Sequence, residues 1–334
     1  MNILMIGGTR FIGRAAVYQL AAAGHTVTVF HRGKTILPLP DGVQHIHGDL
    51  ANLDDFRDDF RALAPDVVVH MLLMEQGEAT QMMRVFRGIA ERVVVVSSAD
   101  VYLAWGRLLN TEPGDPLPVP LTEQSPLREE RYPYRKQLAK DDWRYYYDKI
   151  SVEETAMGLG RPAATVVRLP MVYGPHDPQR RIAAYLQRMK DKRPFIALDA
   201  RQYNWRAPRG YVDNIGHALA LAATHKDAAR RIYHVAERYT DALTEAQWVR
   251  AIGDAAGWQG EVIAAPPEKL PRSMRFNPNG QSVTLDSSRI RAELGYDEKV
   301  SFRPGLVQTV AWTAKHVLPQ LDPIDYTMED ALVD

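Results

Sequence analysis

The sequence predicts an α/β protein: a doubly wound parallel sheet followed by a smaller C-terminal α/β domain. Three observations carry this expectation: short apolar runs without polar alternation, helical spacing between them, and a glycine-rich turn after the first run. Residues 3–6 (ILMI) read as a parallel strand covered on both faces. After the turn GGTRFIG (7–13), Ile12, Ala16 and Leu20 recur with Val17 and Ala21 at helical spacing, and Gly24 supplies a stop. Further strands are expected at 26–30, 43–46, 66–70, 92–97 and 164–169, with helices over 53–63 and 78–90 among them. The stretch TEPGDPLPVPLTEQSP (111–126) is too rich in proline for a helix or a central strand. It reads as a long excursion where a substrate would sit.

Composition narrows the class. The 334 residues carry 41 Lys plus Arg and 41 Asp plus Glu, which leaves no global field for a polyanion, so no nucleic-acid partner is expected. The absence of cysteine excludes disulfides, thiolate metal sites and a cysteine nucleophile. No apolar run reaches the ~18 residues of a membrane span, and a soluble, cytoplasmic protein is expected. Among ten histidines only His45 and His47 are closely spaced, alternating on a strand, so no metal is expected.

The turn Gly7-Gly8-Thr9-Arg10-Phe11-Ile12-Gly13 lies between a strand and a helix. There, small residues let the backbone close on a pyrophosphate and the helix N-terminus offers free N–H groups. Arg10 stands where such turns carry a glycine. The second strand ends Phe30-His31-Arg32-Gly33-Lys34, without the carboxylate that marks NAD. Arg10 and Arg32 therefore read as a clamp on the 2′-phosphate of NADP; the alternative is a solvated loop arginine beside an ordinary NAD site. Asp49, in Gly48-Asp49-Leu50, either accepts from the adenine amino group or caps the next helix.

The fifth strand ends VVVVSSADVY (93–102), and DWRYYYDKISVEE (142–154) follows about fifty residues later. On one helix Tyr145 and Lys149 would share a face, the ammonium favouring the phenolate while Ser98 bonds the reacting oxygen. A second Tyr-x-x-x-Lys, Tyr132 to Lys136, is interrupted by Pro133 and lacks that geometry. Asp100 is either a further acid/base or a turn cap. Arg180, Arg181, Arg206 and Arg209, with Trp205, can hold an anionic substrate or form ion pairs.

Taken together, the glycine turn, GDL, SSADVY, YYYDKISVEE, VVRLPMVYGP (166–175), RGYVDNIGHAL (209–219), IYHVAE (232–237) and SSRIRAELGY (287–296) stand in one order along the chain. In that order the sequence resembles extended short-chain dehydrogenases/reductases of the NAD-dependent epimerase/dehydratase type. The resemblance implies a Rossmann domain over 1–170 with a return segment near 209–236, and a substrate domain over 171–208 and 237–320. An acidic tail, 321–334, is either loose or a contact. The resemblance also implies Ser98, Tyr145 and Lys149 as the catalytic set and a small-molecule substrate, either a sugar nucleotide or a smaller carbonyl or alcohol. A homodimer paired through two helices, one bearing Tyr145, is implied as well. The cofactor, NADP or alternatively NAD, would meet Gly7, Thr9, Arg10, Phe11, Ile12, Gly13 and Arg32. Asp49, Leu50, Met71, Leu72, Ser97, Pro170 and Val172 would complete its surroundings with Tyr145 and Lys149. Where the family has a small end to the fourth strand, His70-Met71-Leu72-Leu73-Met74 puts bulk beside the cofactor. The arginine-bearing turn also resembles that of chloroplast stem-loop RNA-binding proteins. A protein that senses NADP(H) or binds RNA without turnover is thus the alternative to an enzyme.

Overall fold

The computed structural model describes residues 1–35, 37–238, 243–276 and 280–332. Seven parallel strands form the main sheet: β1 (Asn2–Ile6), β2 (Thr26–His31), β3 (Gln44–His47), β4 (Val67–His70), β5 (Arg92–Ser98), β6 (Ala163–Leu169) and β10 (Ile232–His234). Their spatial order is β10-β6-β5-β4-β1-β2-β3, so the chain begins in the centre and reverses between β1 and β4. In a doubly wound sheet that reversal opens a crevice at the carboxyl ends of the strands. Residues 3 to 6 of β1 are wholly buried, as the unbroken apolar run requires.

Two small sheets complete the α/β architecture. β7 (Met171–Tyr173) pairs with β9 (Arg209–Tyr211), and β8 (Phe195–Asp199) pairs with β11 (Glu261–Ala265). The helix Phe11–Ala22 packs against the helix Val212–Thr224. Close approach there depends on Gly216, where a Cβ would come within 2.7 Å of the Ala15 backbone.

Two helices depart from expectation. Over 53–63 the structure has a 3-10 segment, Leu50–Phe56, distorted at Asn52, and then the α-helix Arg57–Leu63. The helix expected over 78–90 runs Gln76–Phe86: a Glu75/Glu78 capping box starts it early, and the extended Arg87 ends it before Gly88.

A buried polar network fastens the catalytic-side helix Lys149–Gly158 to the sheet. Glu153 accepts from the Ser97 hydroxyl at 2.5 Å and from Arg168 of β6 at 2.7 Å, both partners lying inside the protein. Arg168 also donates to Tyr102 Oη at 3.0 Å, which is bonded to His234 of β10. The network therefore ties three strands and one helix together.

The proline-rich stretch is irregular, and it is strapped down. Leu121 is buried and bonds Thr284 through its N–H, while Leu117 N–H donates to Gln281. The acidic tail is docked as far as residue 332. Glu329 is buried against Arg188, and Tyr326 donates to Asp191 at 2.6 Å. Among the described residues no helix is long and apolar enough to cross a membrane.

Candidate active site

The glycine turn has the shape of a pyrophosphate cradle. A Cβ on Gly13 would run into the Gly7 carbonyl oxygen, and Gly7 itself sits at φ +89, so both positions call for glycine. No side chain caps the helix that follows and its first turn holds no acid, which leaves its N–H groups and dipole to an anion. Arg10 is extended, at φ −137, where any residue fits, so losing the glycine costs no backbone strain. The strained position is Phe11, at φ +40. The cradle fits a dinucleotide, with Thr9 and Ile12 on its rim.

Arg10 and Arg32 are both exposed at this edge, and neither has an ion-pair partner among the described residues. The end of β2 carries His31 instead of a carboxylate. Gly33 N–H donates to its Nδ1 at 3.1 Å, which leaves Nε2–H to face His45 Nδ1 at 2.8 Å. His47 packs on the same ring, and burial with the other two imidazoles lowers the His31 pKa. No group of three His, Asp or Glu among the described residues is arranged to hold a metal.

Other expected cofactor contacts are placed unevenly. Leu72 lies over Gly7 with Met71 beside it: a Cβ on Gly7 would meet Leu72 Cγ at 2.8 Å and Met71 Cβ at 3.2 Å. Asp49 caps, its carboxylate accepting from Ala51 N–H at 3.1 Å, and Leu50 begins the segment it caps. Ser97 faces the interior and its hydroxyl is committed to Glu153, so it offers none to a cofactor. Pro170 and Val172 are buried, and the Val172 carbonyl accepts from Arg181 at 2.8 Å.

The structure does not put Tyr145 and Lys149 on one helix face. Tyr145 lies in a 3-10 turn, Trp143–Tyr146, whereas Lys149 opens the α-helix; Tyr147 and Asp148 between them are extended. The Tyr145 ring therefore stacks with Tyr146 and Arg135, and it makes no bond to Ser98 or Lys149 among the described residues. Asp148 stands at the N-cap position, but its carboxylate makes no cap bond and accepts from the Ser151 hydroxyl instead.

Tyr147 is the tyrosine that lies beside Lys149. Its ring is buried 5.8 Å from Lys149 Nζ, and its hydroxyl donates to Asp100 Oδ2 at 2.7 Å. Ser98 is within hydrogen-bonding reach of both groups. Asp100 is no turn cap: its N–H donates to the Ser98 hydroxyl at 3.2 Å, so Ser98 caps and the carboxyl is left for the site. Arg128 and Tyr134 close the far side, with Arg128 Nη2 4.0 Å from Asp100 Oδ1 and Tyr134 Oη 3.5 Å from Oδ2. Sequence reasoning passed over Tyr147, Tyr134 and Arg128.

Lys149 is held at the carboxyl ends of β4 and β5, where its ammonium donates to the carbonyls of Leu73 and of Val96, the latter at 3.0 Å. Burial lowers its pKa to about 8, although Asp100, Glu78 and Glu153 oppose the shift. Beside it, burial first and Lys149 second press the His70 pKa down to about 3. An unfolded chain would protonate His70 near the ordinary imidazole value of 6.5. Its contribution is therefore whole above 6.5 and is lost as the pH falls toward 3, by about 5 kcal/mol at most. Urea unfolding across this range should show the loss. His70→Asn, which keeps an acceptor for Leu72 N–H, should flatten it.

A second cavity, of about 280 Å³, lies among Met171, Tyr173, Arg181, Trp205, Arg209 and Trp248. Arg209 is paired there with buried Glu245 and Arg181 with Asp177 at 2.8 Å.

The profile of the NAD dependent epimerase/dehydratase family matches residues 3–236. The chain belongs to that family. It is similar to a 2'-dehydrokanamycin reductase of Streptomyces kanamyceticus, 28% identical over 249 residues, 72% of this chain and 62% of the reductase. The chain thus spans less than two thirds of that relative. The chloroplast stem-loop binding protein of 41 kDa b of Arabidopsis thaliana is 24% identical over 92% of this chain and 78% of its own. Among solved structures, Thermus thermophilus UDP-glucose 4-epimerase in complex with NAD superposes with a TM-score of 0.68. That match, at 23% identity, covers 95% of this chain and 100% of the epimerase.

Proposed function

We propose that the protein transfers hydride between a nicotinamide dinucleotide and a hydroxyl or carbonyl carbon of a sugar-type substrate. The observation that carries this reading is the convergence of Ser98, Lys149 and the buried Tyr147–Asp100 pair at the carboxyl ends of β4 and β5, next to the glycine cradle. When bound, the dinucleotide supplies or accepts the hydride. The protein's own groups do the rest. Gly7, Gly13 and the helix N-terminus receive the pyrophosphate, Lys149 binds the nicotinamide ribose, and Ser98 donates to the reacting oxygen as its charge grows. The cavity bearing Arg181 and Arg209 receives the remainder of the substrate, such as the diphosphate of a sugar nucleotide. The bound UDP-glucose named for a related solved structure, and the reductase similarity, support a sugar or aminosugar carbonyl.

The test is incubation with NADPH or NADH and a panel of keto sugars, followed by absorbance of the reduced cofactor. Absence of turnover across the panel, with tight dinucleotide binding, would favour the sensing or RNA-binding reading. The stem-loop binding relative supports that reading, and the balanced charge opposes it.

NADP is the cofactor this reading favours, because unpaired Arg10 and Arg32 stand where a carboxylate would repel a 2′-phosphate. Substituting both with uncharged residues should raise the Michaelis constant for NADPH about tenfold or more, the scale of one lost charge-assisted bond, and leave NADH nearly unchanged. Equal effects on the two cofactors would refute the clamp. A homodimer in the cytoplasm completes the proposal, and sedimentation would give its mass.

A further inference from the structure

We propose that His31, His45 and His47 wall the 2′-phosphate site beside Arg10 and Arg32, with His45 donating a hydrogen bond and His47 taking up a proton when NADP(H) binds. The wall rests on the NADP reading and adds proton linkage to it. The three imidazoles share one face of the sheet. His31 pairs in register with His47 on the parallel edge strand β3, His45 lies two residues earlier, and side chains two apart point the same way. Val27 and Val29, on that same face of β2, share an apolar cluster with Ala16 and Val17 of the helix whose N-cap is Arg10. Phe30 and Ile46 fill the opposite core.

Hydrogen bonds fix the role of each ring. Gly33 N–H occupies His31 Nδ1, so His31 carries its proton at Nε2 and gives it to His45 Nδ1. His45, exposed, therefore carries its own proton at Nε2 and can offer it to an oxyanion with no change of charge. A further proton on His31 would set its Nδ1–H against the Gly33 N–H, and one on His45 would set its Nδ1–H against His31. Both rings are thereby held neutral. His47 differs: it is exposed, packs edge-on against His31 with 4.7 Å between ring centroids, and makes no side-chain hydrogen bond among the described residues. Both of its nitrogens are open to a proton and to a ligand.

The surrounding charges set the sign of the linkage. His45 and His47 face His31 from β3, Arg32 and Lys34 follow it in its own segment, and Arg10 stands on the glycine turn. Asp49, the acid that follows β3, has its carboxylate on Ala51 N–H. Burial first, then His47 and His45, lower the His31 pKa, in keeping with a ring that stays neutral. A phosphate dianion among these groups favours the protonated form of His47, so binding and protonation assist each other. The gain in affinity is whole below about pH 6.5, the ordinary imidazole value, and is lost as the pH rises through the raised value in the complex. The phosphate's own second ionisation, near pH 6, has the opposite sign and sets the lower end of the window. NAD(H) lacks the 2′-phosphate and carries no such linkage.

The test is calorimetric titration of the full chain with NADPH and with NADH, at pH values from about 6.5 to 8.5 and in buffers of different ionisation enthalpy, which counts the protons bound. NADPH should bind with net proton uptake near pH 7, and its Kd should rise with pH by up to about tenfold per unit, the limit for one whole proton. NADH should show neither effect. His47→Gln, at an exposed position, should abolish the uptake and flatten the NADPH profile while leaving NADH binding unchanged, with melting curves to confirm the fold. NADPH bound more tightly than NADH without proton uptake would leave the arginine clamp standing and overturn the imidazole wall. Uptake that persists in His47→Gln would overturn it as well. NADPH bound no more tightly than NADH at any pH would overturn the NADP reading and the wall together.

Discussion

Lys149→Met is expected to lower kcat/KM by about 10²–10⁴-fold, the range for loss of a positioned group in proton-transfer chemistry. The ammonium is 4% exposed and held by two backbone carbonyls, so its charge lies at a defined point between the cradle and the Tyr147–Asp100 pair. Methionine keeps the length and apolar stem but removes the donor and the charge. It also strands the Leu73 and Val96 carbonyls, so some stability is lost, and melting curves must accompany the kinetics. The wild type supplies an independent check. With a pKa near 8, Lys149 is a cation below that pH and neutral above it, so kcat/KM should fall as the pH rises through about 8. A flat profile with an unimpaired Lys149→Met would remove the lysine from the mechanism.

Glu153→Ala is expected to cost about 3–5 kcal/mol of stability, because it leaves the buried Arg168 guanidinium without its counter-ion. Arg168 is 2% exposed and donates three of its bonds to the Glu153 carboxylate, which also accepts from Ser97. The remaining partners, Tyr102 Oη and the Glu123 carbonyl, are neutral and cannot offset the charge. Urea denaturation should show a lower midpoint at an unchanged slope. A shift under 1 kcal/mol would mean that water reaches Arg168 readily. Lys149 sits one helical turn before Glu153, so activity should fall with stability in this variant.

Much of the molecule was legible in one dimension. All six strands read from the sequence are present within about two residues of their expected ends, since an apolar run covered on both faces needs no distant partner to be recognised. The glycine cradle was legible for the same reason: its demands, an open φ at Gly7 and no Cβ at Gly13, are set by residues within seven positions of each other. Ser98 and Lys149 were legible as the ends of a strand and of a motif. The docked tail and the strapped proline stretch were not, because Arg188 and Thr284, which hold them, lie far away in the chain.

Which tyrosine lies beside Lys149 is visible only in the tertiary structure. Spacing put Tyr145 on the face of Lys149, and this holds only if the backbone between them is helical. Asp148 at the N-cap and an extended Tyr147 break that condition. The same fold turns the Asp100 carboxyl away from its own turn toward the Tyr147 phenol, and buries Arg128 and Tyr134 around it. The sequence by itself determined the sheet, the cradle and the presence of a lysine and a serine at strand ends, because those depend on local periodicity and backbone freedom. Which phenol lies beside them depends on burial and on Asp100, Arg128 and Tyr134, brought together from separate parts of the chain, and only packing decides that.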